Sequence, residues 1–268
     1  MTRRRWIADT WSNTSAALTG DQALHLARVL RAQPGMEFDI LAGGMLWLAT
    51  ITEVTEQEVR FALIRELETD PALPVTLLLS IFKFDRMEWA IEKATELGVA
   101  RIIPIIARRT EKHLAQAAEK RVERWRRIAR EAAQQSRRSD IPEITAALPL
   151  KAALQLSSQP PVVDAAVTRL VLSEQEQTLT LKSAVENSLA ATTAAAAVVS
   201  DRYLHLSLGP EGGWAPEELA LFAAGGWTPV TLGPRILRVE TAAIAALAVV
   251  AALLTQSSEE QDHHEPSS

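Results

Sequence analysis

The 268-residue chain contains no cysteine. That excludes thiolate catalysis, cysteine-ligated zinc and iron–sulfur clusters. The absence suits a reducing cytosol. No hydrophobic run is long enough to span a bilayer. The most apolar segment, Ala242 to Leu254, has thirteen residues, whereas a span needs about twenty, so it reads as a buried helix. The basic opening Met-Thr-Arg-Arg-Arg-Trp is not followed by the apolar core of an export signal. The expectation is a soluble, cytoplasmic protein with no membrane partner. The five histidines show no metal-ligand spacing and no supported Ser–His–Asp arrangement, so no metal is expected. His25 falls in a helix, His113 near a basic stretch, His205 in a strand where it should be packed, and His263 and His264 near the end.

What is there is an ordinary globular composition, 47% hydrophobic and 23% charged, long enough for roughly two domains. Net charge is −5, which argues against a simple nucleic-acid binder. The distribution points the other way. Residues 101–138 hold twelve Lys/Arg against four Glu. Such a stripe steers a polyanion even on an acidic chain, because potentials are local and screened within about 10 Å. A solvated helix face is the commoner explanation of a charge run, but with Glu so sparse few of these cations can pair within their own helix.

Residues 1–70 read as a β-rich domain. Phe38–Leu41, Leu46–Ile51 and Val59–Ile64 have strand character, and Gly43-Gly44 is a hairpin signal. A helix from Asp21 to Leu30 would place Leu24, Ala27 and Leu30 on one face. Asp70-Pro71-Ala72-Leu73-Pro74 marks a stiff boundary. From there strands and helices alternate, as in an α/β domain with a mainly parallel sheet. Val75–Phe82, Val99–Ile106, Leu170–Leu172, Leu204–Leu208 and Val230–Leu232 are the strands. Arg86–Leu97 (stopped by Gly98), about Gln116–Gln135, 216–224 and 241–254 are the helices. Ala190–Val199 is either a loose helix or a surface loop. The polar, acidic end, 256–268, is expected to be disordered.

Two loops carry the chemistry. In Leu208-Gly209-Pro210-Glu211-Gly212-Gly213-Trp214 a strand runs into three glycines, which allow close backbone approach to a ligand. It is neither a Walker A loop nor Gly-x-Gly-x-x-Gly, so phosphate transfer and a Rossmann dinucleotide site are unsupported. In Leu232-Gly233-Pro234-Arg235-Ile236-Leu237-Arg238-Val239-Glu240-Thr241 two arginines flank an apolar pair just before a very apolar helix. Those guanidiniums call for an anionic or carbonyl partner. Glu240 suits the positive end of that helix, and capping is its plainer role.

Taken together, the motifs resemble the RsmE-type 16S ribosomal RNA (uracil-N3)-methyltransferases of the SPOUT class. The likeness spans about 3–255 and rests on six pieces in order: His25-Leu26-x-Arg28-Val29-Leu30-Arg31 with Gly35; Lys83-x-Asp85-Arg86-Met87-Glu88-Trp89; Ile91 through Val99; Glu131-Ala132-Ala133-Gln134-Gln135-Ser136-x-Arg138 with Ile141-Pro142; Gly209 to Gly213; and Leu232-Gly233-x-Arg235-Ile236-Leu237-Arg238-x-Glu240-Thr241-Ala242. The resemblance implies a PUA-like RNA-binding β-barrel over 1–70 and a SPOUT methyltransferase domain over 74–255 with a deep C-terminal trefoil knot. It implies a homodimer acting on a uridine of 16S rRNA within the small ribosomal subunit, with S-adenosyl-L-methionine held by backbone groups of the knot loops.

Carried onto this sequence, the cofactor-binding residues are Leu172 at the first loop; Leu208, Gly209, Glu211, Gly212 and Gly213 at the second; and Leu232, Gly233, Ile236 and Leu237 at the third. Methylation at N3 requires loss of the N3 proton or stabilisation of charge developing on O2 and O4. Arg238 and Arg138 are the candidates for that stabilisation or for gripping a neighbouring phosphate. Glu240 or Glu211 are candidates to assist deprotonation. RNA binding falls to Arg5, Arg28 and Arg31 in the first domain and to Arg86, Arg108, Arg109 and Arg137. Two alternatives stay open: another SPOUT methyltransferase with a different target, and a catalytically silent rRNA-binding assembly factor.

Overall fold

The computed structural model describes residues 5–69, 72–158, 166–194 and 202–262. The chain divides into two compact units, Met1–Ala72 with Arg130–Ile141, and Leu73–Ala129 with Pro142–Ser268. Residues 130–141, which lie within the 74–255 stretch, group with the first unit. There Ala133 is buried with Ile7 and Leu41, and Arg130 Nη2 donates to Ile7 O at 3.0 Å and to Asp9 Oδ1 at 2.7 Å.

The first unit is a six-stranded sheet in the order β1-β4-β5-β6-β3-β2. Its strands are β1 (Arg5–Ile7), β2 (Thr10–Trp11), β3 (Ser15–Thr19), β4 (Glu37–Ala42), β5 (Met45–Val54) and β6 (Glu58–Glu66). Gly43 and Gly44 both have positive φ, 62° and 83°, the conformation a two-residue primed hairpin turn requires. The extended stretch Arg5–Trp11 pairs with β4 through its first half and with β3 through its second, Ala8 N–H going to Leu41 O and Asp9 N–H to Ala17 O. Both ends of the sheet are thus joined through one segment, and the sheet curls around Trp6, Leu18, Leu26, Ile40, Ile51 and Phe61.

The expected helix over 21–30 is α1 (Gly20–Leu24) followed by a π-helical turn, His25–Val29. Leu30 N–H bonds to His25 O, five residues back. The wider turn rotates the face: Ala23 and Leu26 are buried, while Leu24 and Leu30 face solvent, contrary to the helical-spacing expectation.

The second unit is a seven-stranded sheet in which every pairing is parallel. Its strands are β7 (Leu73–Ser80), β8 (Val99–Ile106), β9 (Glu143–Ile144), β10 (Leu148–Pro149), β11 (Ala166–Leu172), β12 (Arg202–Leu208) and β13 (Thr228–Val230). Their apolar runs follow from burial on both faces. The helices that follow the first sheet are α2 (Phe84–Glu96), α3 (Lys112–Ala117), α4 (Val122–Gln135), whose residues from Arg130 on fall in the first unit, α5 (Leu150–Ser158), α6 (Leu181–Ala194), α7 (Pro216–Ala224) and α8 (Val239–Asp262). Gly98, at φ 96°, ends α2.

The long basic helix expected over 116–135 is broken by a 3-10 turn at Glu119–Arg121. The Ala/Thr-rich stretch is helical as far as Ala194, and its remainder lies outside the described residues. α8 runs on to Asp262, into the stretch expected to be disordered, with no glycine or proline to stop it. Residues 263–268 lie outside the described residues.

The strand order β10-β8-β7-β12-β11-β13 reverses direction between β7 and β12, which are paired through Leu79 and Leu208. In open parallel sheets the crevice beyond the C-terminal ends of strands at such a switch point is where ligands bind. Beside it, β13 is held on one side by β11, with Ser173 N–H bonding Val230 O. The next residue, Thr231, donates to Leu179 O and accepts from Leu181 N–H. Successive residues of a strand point to opposite edges, so segment 173–180 passes from one edge of β13 to the other. That wrapped crossing is what a knotted C-terminal end depends on.

Candidate active site

Three segments converge beyond the strand ends: 172–181 after β11, 209–215 after β12 and 231–238 after β13. The glycine loop turns at Gly213, where φ is 68° and N–H bonds Pro210 O at 2.8 Å. A Cβ at Gly209 would sit 3.2 Å from the Trp214 indole, close enough that the ring would have to shift. That indole packs edge-on against Phe222 and donates from Nε1 to Leu172 O at 3.1 Å, tying the glycine loop to the end of β11. Arg109 Nη1 donates to Gly212 O at 2.6 Å. Glu218, buried in the first turn of α7, accepts the N–H of Ala215 at 2.9 Å and that of Arg108 at 2.8 Å.

In segment 172–181, Glu176 Oε1 accepts from Thr178 Oγ1 and from the N–H groups of Thr178 and Leu179. These bonds, the Thr178 hydroxyl first, hold its carboxyl down at about 2 and shape the turn around β13.

In segment 231–238, Gly233 takes φ 112° while the Thr231 hydroxyl bonds both its N–H and its C=O. Ile236 is 84% exposed. Arg235 and Arg238 are also exposed and meet neither a carboxylate nor a carbonyl among the described residues. The anionic or carbonyl partner expected of them is not found within the chain among the described residues, and both guanidiniums remain available.

Glu240 is the opposite case. Its side chain is 8% exposed, Oε1 lies 3.7 Å from Arg86 Nε, and Oε2 has no hydrogen-bond partner among the described residues. The carboxylate turns to a side chain from another element instead of capping α8. Arg86 also reaches the glycine loop, with Nη1 3.1 Å from Glu211 Oε1.

Residues 69–251 match the family model of the RNA methyltransferase domain, and residues 18–64 match that of the RNA methyltransferase PUA domain. A ribosomal RNA small subunit methyltransferase E from Synechocystis sp. is 34% identical over 241 residues, covering 90% of this chain and 74% of that protein. The protein of the same name from Mycobacterium bovis is 33% identical over 258 residues, covering 94% and 92%. The chain belongs to the ribosomal RNA small subunit methyltransferase E family. The crystal structure of a family member from Neisseria gonorrhoeae bound to S-adenosyl methionine superposes with a TM-score of 0.74 at 28% identity, covering 94% of this chain and 98% of that one.

Within this family member, many of the cations first assigned to RNA are already engaged. Arg86 and Arg109 hold the glycine loop. Arg28 forms a two-pronged pair with Glu56, Arg5 donates to Arg137 O, and Arg108 lies 3.5 Å from Glu217. Arg124 pairs with Glu88 of α2 at 2.6 Å, and Arg126 reaches Glu123 and Ile144 O. The stripe is more fully paired than the local scarcity of Glu implies, because most partners come from other elements. Arg138 belongs to the first unit and pairs with Asp140, whereas Arg238 and Glu240 belong to the second. Arg31, Lys112, Lys120 and the side chain of Arg137 are exposed and unpaired among the described residues.

Sequence reasoning missed Glu218 and Trp214. A signal for the first was present: a glutamate three residues after the helix-start position, behind Pro216, is half of a capping box. Nothing local announces the bond from Trp214 to Leu172. Among the described residues no group of three His, Asp or Glu could hold a metal ion, and no helix is long and apolar enough to cross a membrane.

Proposed function

We propose that this chain transfers a methyl group from S-adenosylmethionine to N3 of a uridine in the 16S RNA of the small ribosomal subunit, in the cytoplasm and as a homodimer. The observation that carries the reading is the convergence of segments 172–181, 209–215 and 231–238 at one end of the parallel sheet of a small subunit methyltransferase E family member. The residues present suit the cofactor. Gly209, Gly212, Gly213 and Gly233 permit close backbone approach, and Leu172, Leu232, Ile236 and Leu237 supply apolar surface, whereas the Leu208 side chain is buried in the core and its backbone is what it can offer. Glu211 and Glu240 bring negative charge, which favours a cationic ligand.

When bound, S-adenosylmethionine supplies an electrophilic methyl group on a sulfonium. The chain's own residues handle the uracil. N3 is poorly nucleophilic while protonated, and its anion spreads charge onto O2 and O4. Arg238, exposed and unpaired among the described residues, lies in segment 231–238 next to Glu240 and is available to stabilise that charge or to grip a neighbouring phosphate. Glu240, with one free oxygen, is the group that can hold the N3 proton. Arg138 has its charge met by Asp140, and we assign it to holding the first unit together. Arg31, Arg137, Lys112 and Lys120 are among the exposed cations that can meet rRNA phosphates. The dimer reading is supported by α8, which carries no charged residue from Thr241 to Thr255 and leaves Thr241, Ala248, Ala252 and Thr255 exposed along one face.

The test is methyl transfer from labelled S-adenosylmethionine to small subunits from a strain lacking the activity, with naked rRNA in parallel and the nucleoside identified by mass spectrometry. N3-methyluridine in the subunit sample is expected. A different methylated nucleoside would move the target, and no label together with no cofactor binding would leave only a silent rRNA-binding factor.

A further inference from the structure

We infer that Arg86 is a positioning residue that clasps the glycine loop to the start of α8 and thereby sets the two cofactor segments relative to each other. The inference rests on the function proposed above. Arg86 is the third residue of α2, immediately beyond β7, and the glycine loop lies immediately beyond β12. β7 and β12 are the paired strands at the switch point of the sheet, so the clasp sits at the crevice where a parallel sheet receives its ligand.

A cation in the first turn of a helix opposes the helix dipole, so the stability of α2 does not explain a guanidinium there. Its partners do. Nη1 is 3.1 Å from Glu211 Oε1 in one segment, and Nε is 3.7 Å from Glu240 Oε1 in the other. Removing Arg86 would loosen the glycine loop and leave the Glu240 carboxylate buried without a compensating charge. With Arg86 in place, Oε2 of Glu240 remains a buried acceptor without a protein partner among the described residues. It can take an O–H or N–H donor of a ligand seated between the two segments. Both of its charged contacts are to carboxylates of this chain, so the geometry serves the clasp without calling on an RNA phosphate.

The experiment measures binding of S-adenosylmethionine and S-adenosylhomocysteine by calorimetry for the full chain and for Arg86→Gln, Arg86→Lys and the double variant Arg86→Gln/Glu240→Gln. Small-subunit affinity, thermal melting and amide hydrogen exchange of the ligand-free proteins accompany it. Arg86→Gln is expected to weaken both ligands by about tenfold or more and to quicken exchange in both 209–215 and 238–242. Small-subunit affinity should stay unchanged at matched salt. Arg86→Lys should recover most of the loss, and adding Glu240→Gln to Arg86→Gln should cost little more.

Wild-type ligand affinity and exchange in Arg86→Gln would overturn the inference, as would a defect confined to subunit binding. If the wild type bound neither ligand, the proposed function would fall. The exchange comparison would still decide the clasp, supporting it if both segments quicken and rejecting it if neither does. If Arg86→Gln melts too low to assay, Glu211→Gln takes its place, with quickened exchange at 209–215 as the expected result and unchanged exchange as the refutation.

Discussion

The indole N–H of Trp214 donates to the carbonyl of Leu172 across 3.1 Å, so the loop after β12 is anchored to the end of the neighbouring strand β11. Trp214→Phe keeps an aromatic ring against Phe222 but removes this bond, worth about 1 kcal/mol, together with part of the buried ring. The expected result is a melting temperature lower by about 2–4 °C and a weaker affinity for S-adenosylmethionine. Gly209→Ala pushes a methyl group against the same ring and should impair cofactor binding more than melting. Calorimetry and thermal melts on the two variants check both.

Glu218 connects the β8–α3 loop to the start of α7 through two backbone N–H groups. Glu218→Gln must turn an amide N–H toward one of those donors while losing the charge that strengthens both bonds. A destabilisation of about 2 kcal/mol is expected, read from urea unfolding midpoints at constant slope.

His205 is buried beside Trp227, and its pKa is lowered from the ordinary 6.5 to about 4, by burial first and then by Arg169 and Arg101. Between those two values the unfolded chain binds a proton that the folded one refuses. Stability therefore rises with pH across this window and falls as pH drops from 6.5 to about 4, by about 3 kcal/mol in all. Urea midpoints at pH 7.5, 6 and 5 should show the slope, and His205→Gln should flatten it relative to wild type.

Arg238 is exposed and unpaired among the described residues, so its removal should leave the fold alone. Arg238→Ala should retain wild-type melting and cofactor affinity and lose methyl transfer by about 100-fold or more. Unchanged turnover in single-turnover assays on small subunits would remove Arg238 from the chemistry.

What the residues alone decide is local. The apolar runs of β7 and β8, the Gly43-Gly44 hairpin, the stop at Gly98 and the glycine loop after β12 are each written in neighbouring positions. Strand pairing, positive φ and close backbone approach are demands that a few adjacent residues can meet or fail. The same holds for the motif order that marks the family.

Only the tertiary structure decides which charges are spent and which remain free. Arg86 and Glu211 stand 125 positions apart and meet only because β7 and β12 are neighbours at the point where the sheet reverses its order. Arg124 finds Glu88, and Ala133 finds Ile7 and Leu41, for the same kind of reason. A window of sequence sees partners three or four residues away along a helix. It therefore sees neither the Glu211 and Glu240 partners of Arg86 nor the Gly212 carbonyl that Arg109 meets. Packing supplies those partners, because burial and pairing are properties of the strand order and not of the stretch of chain that carries the charge.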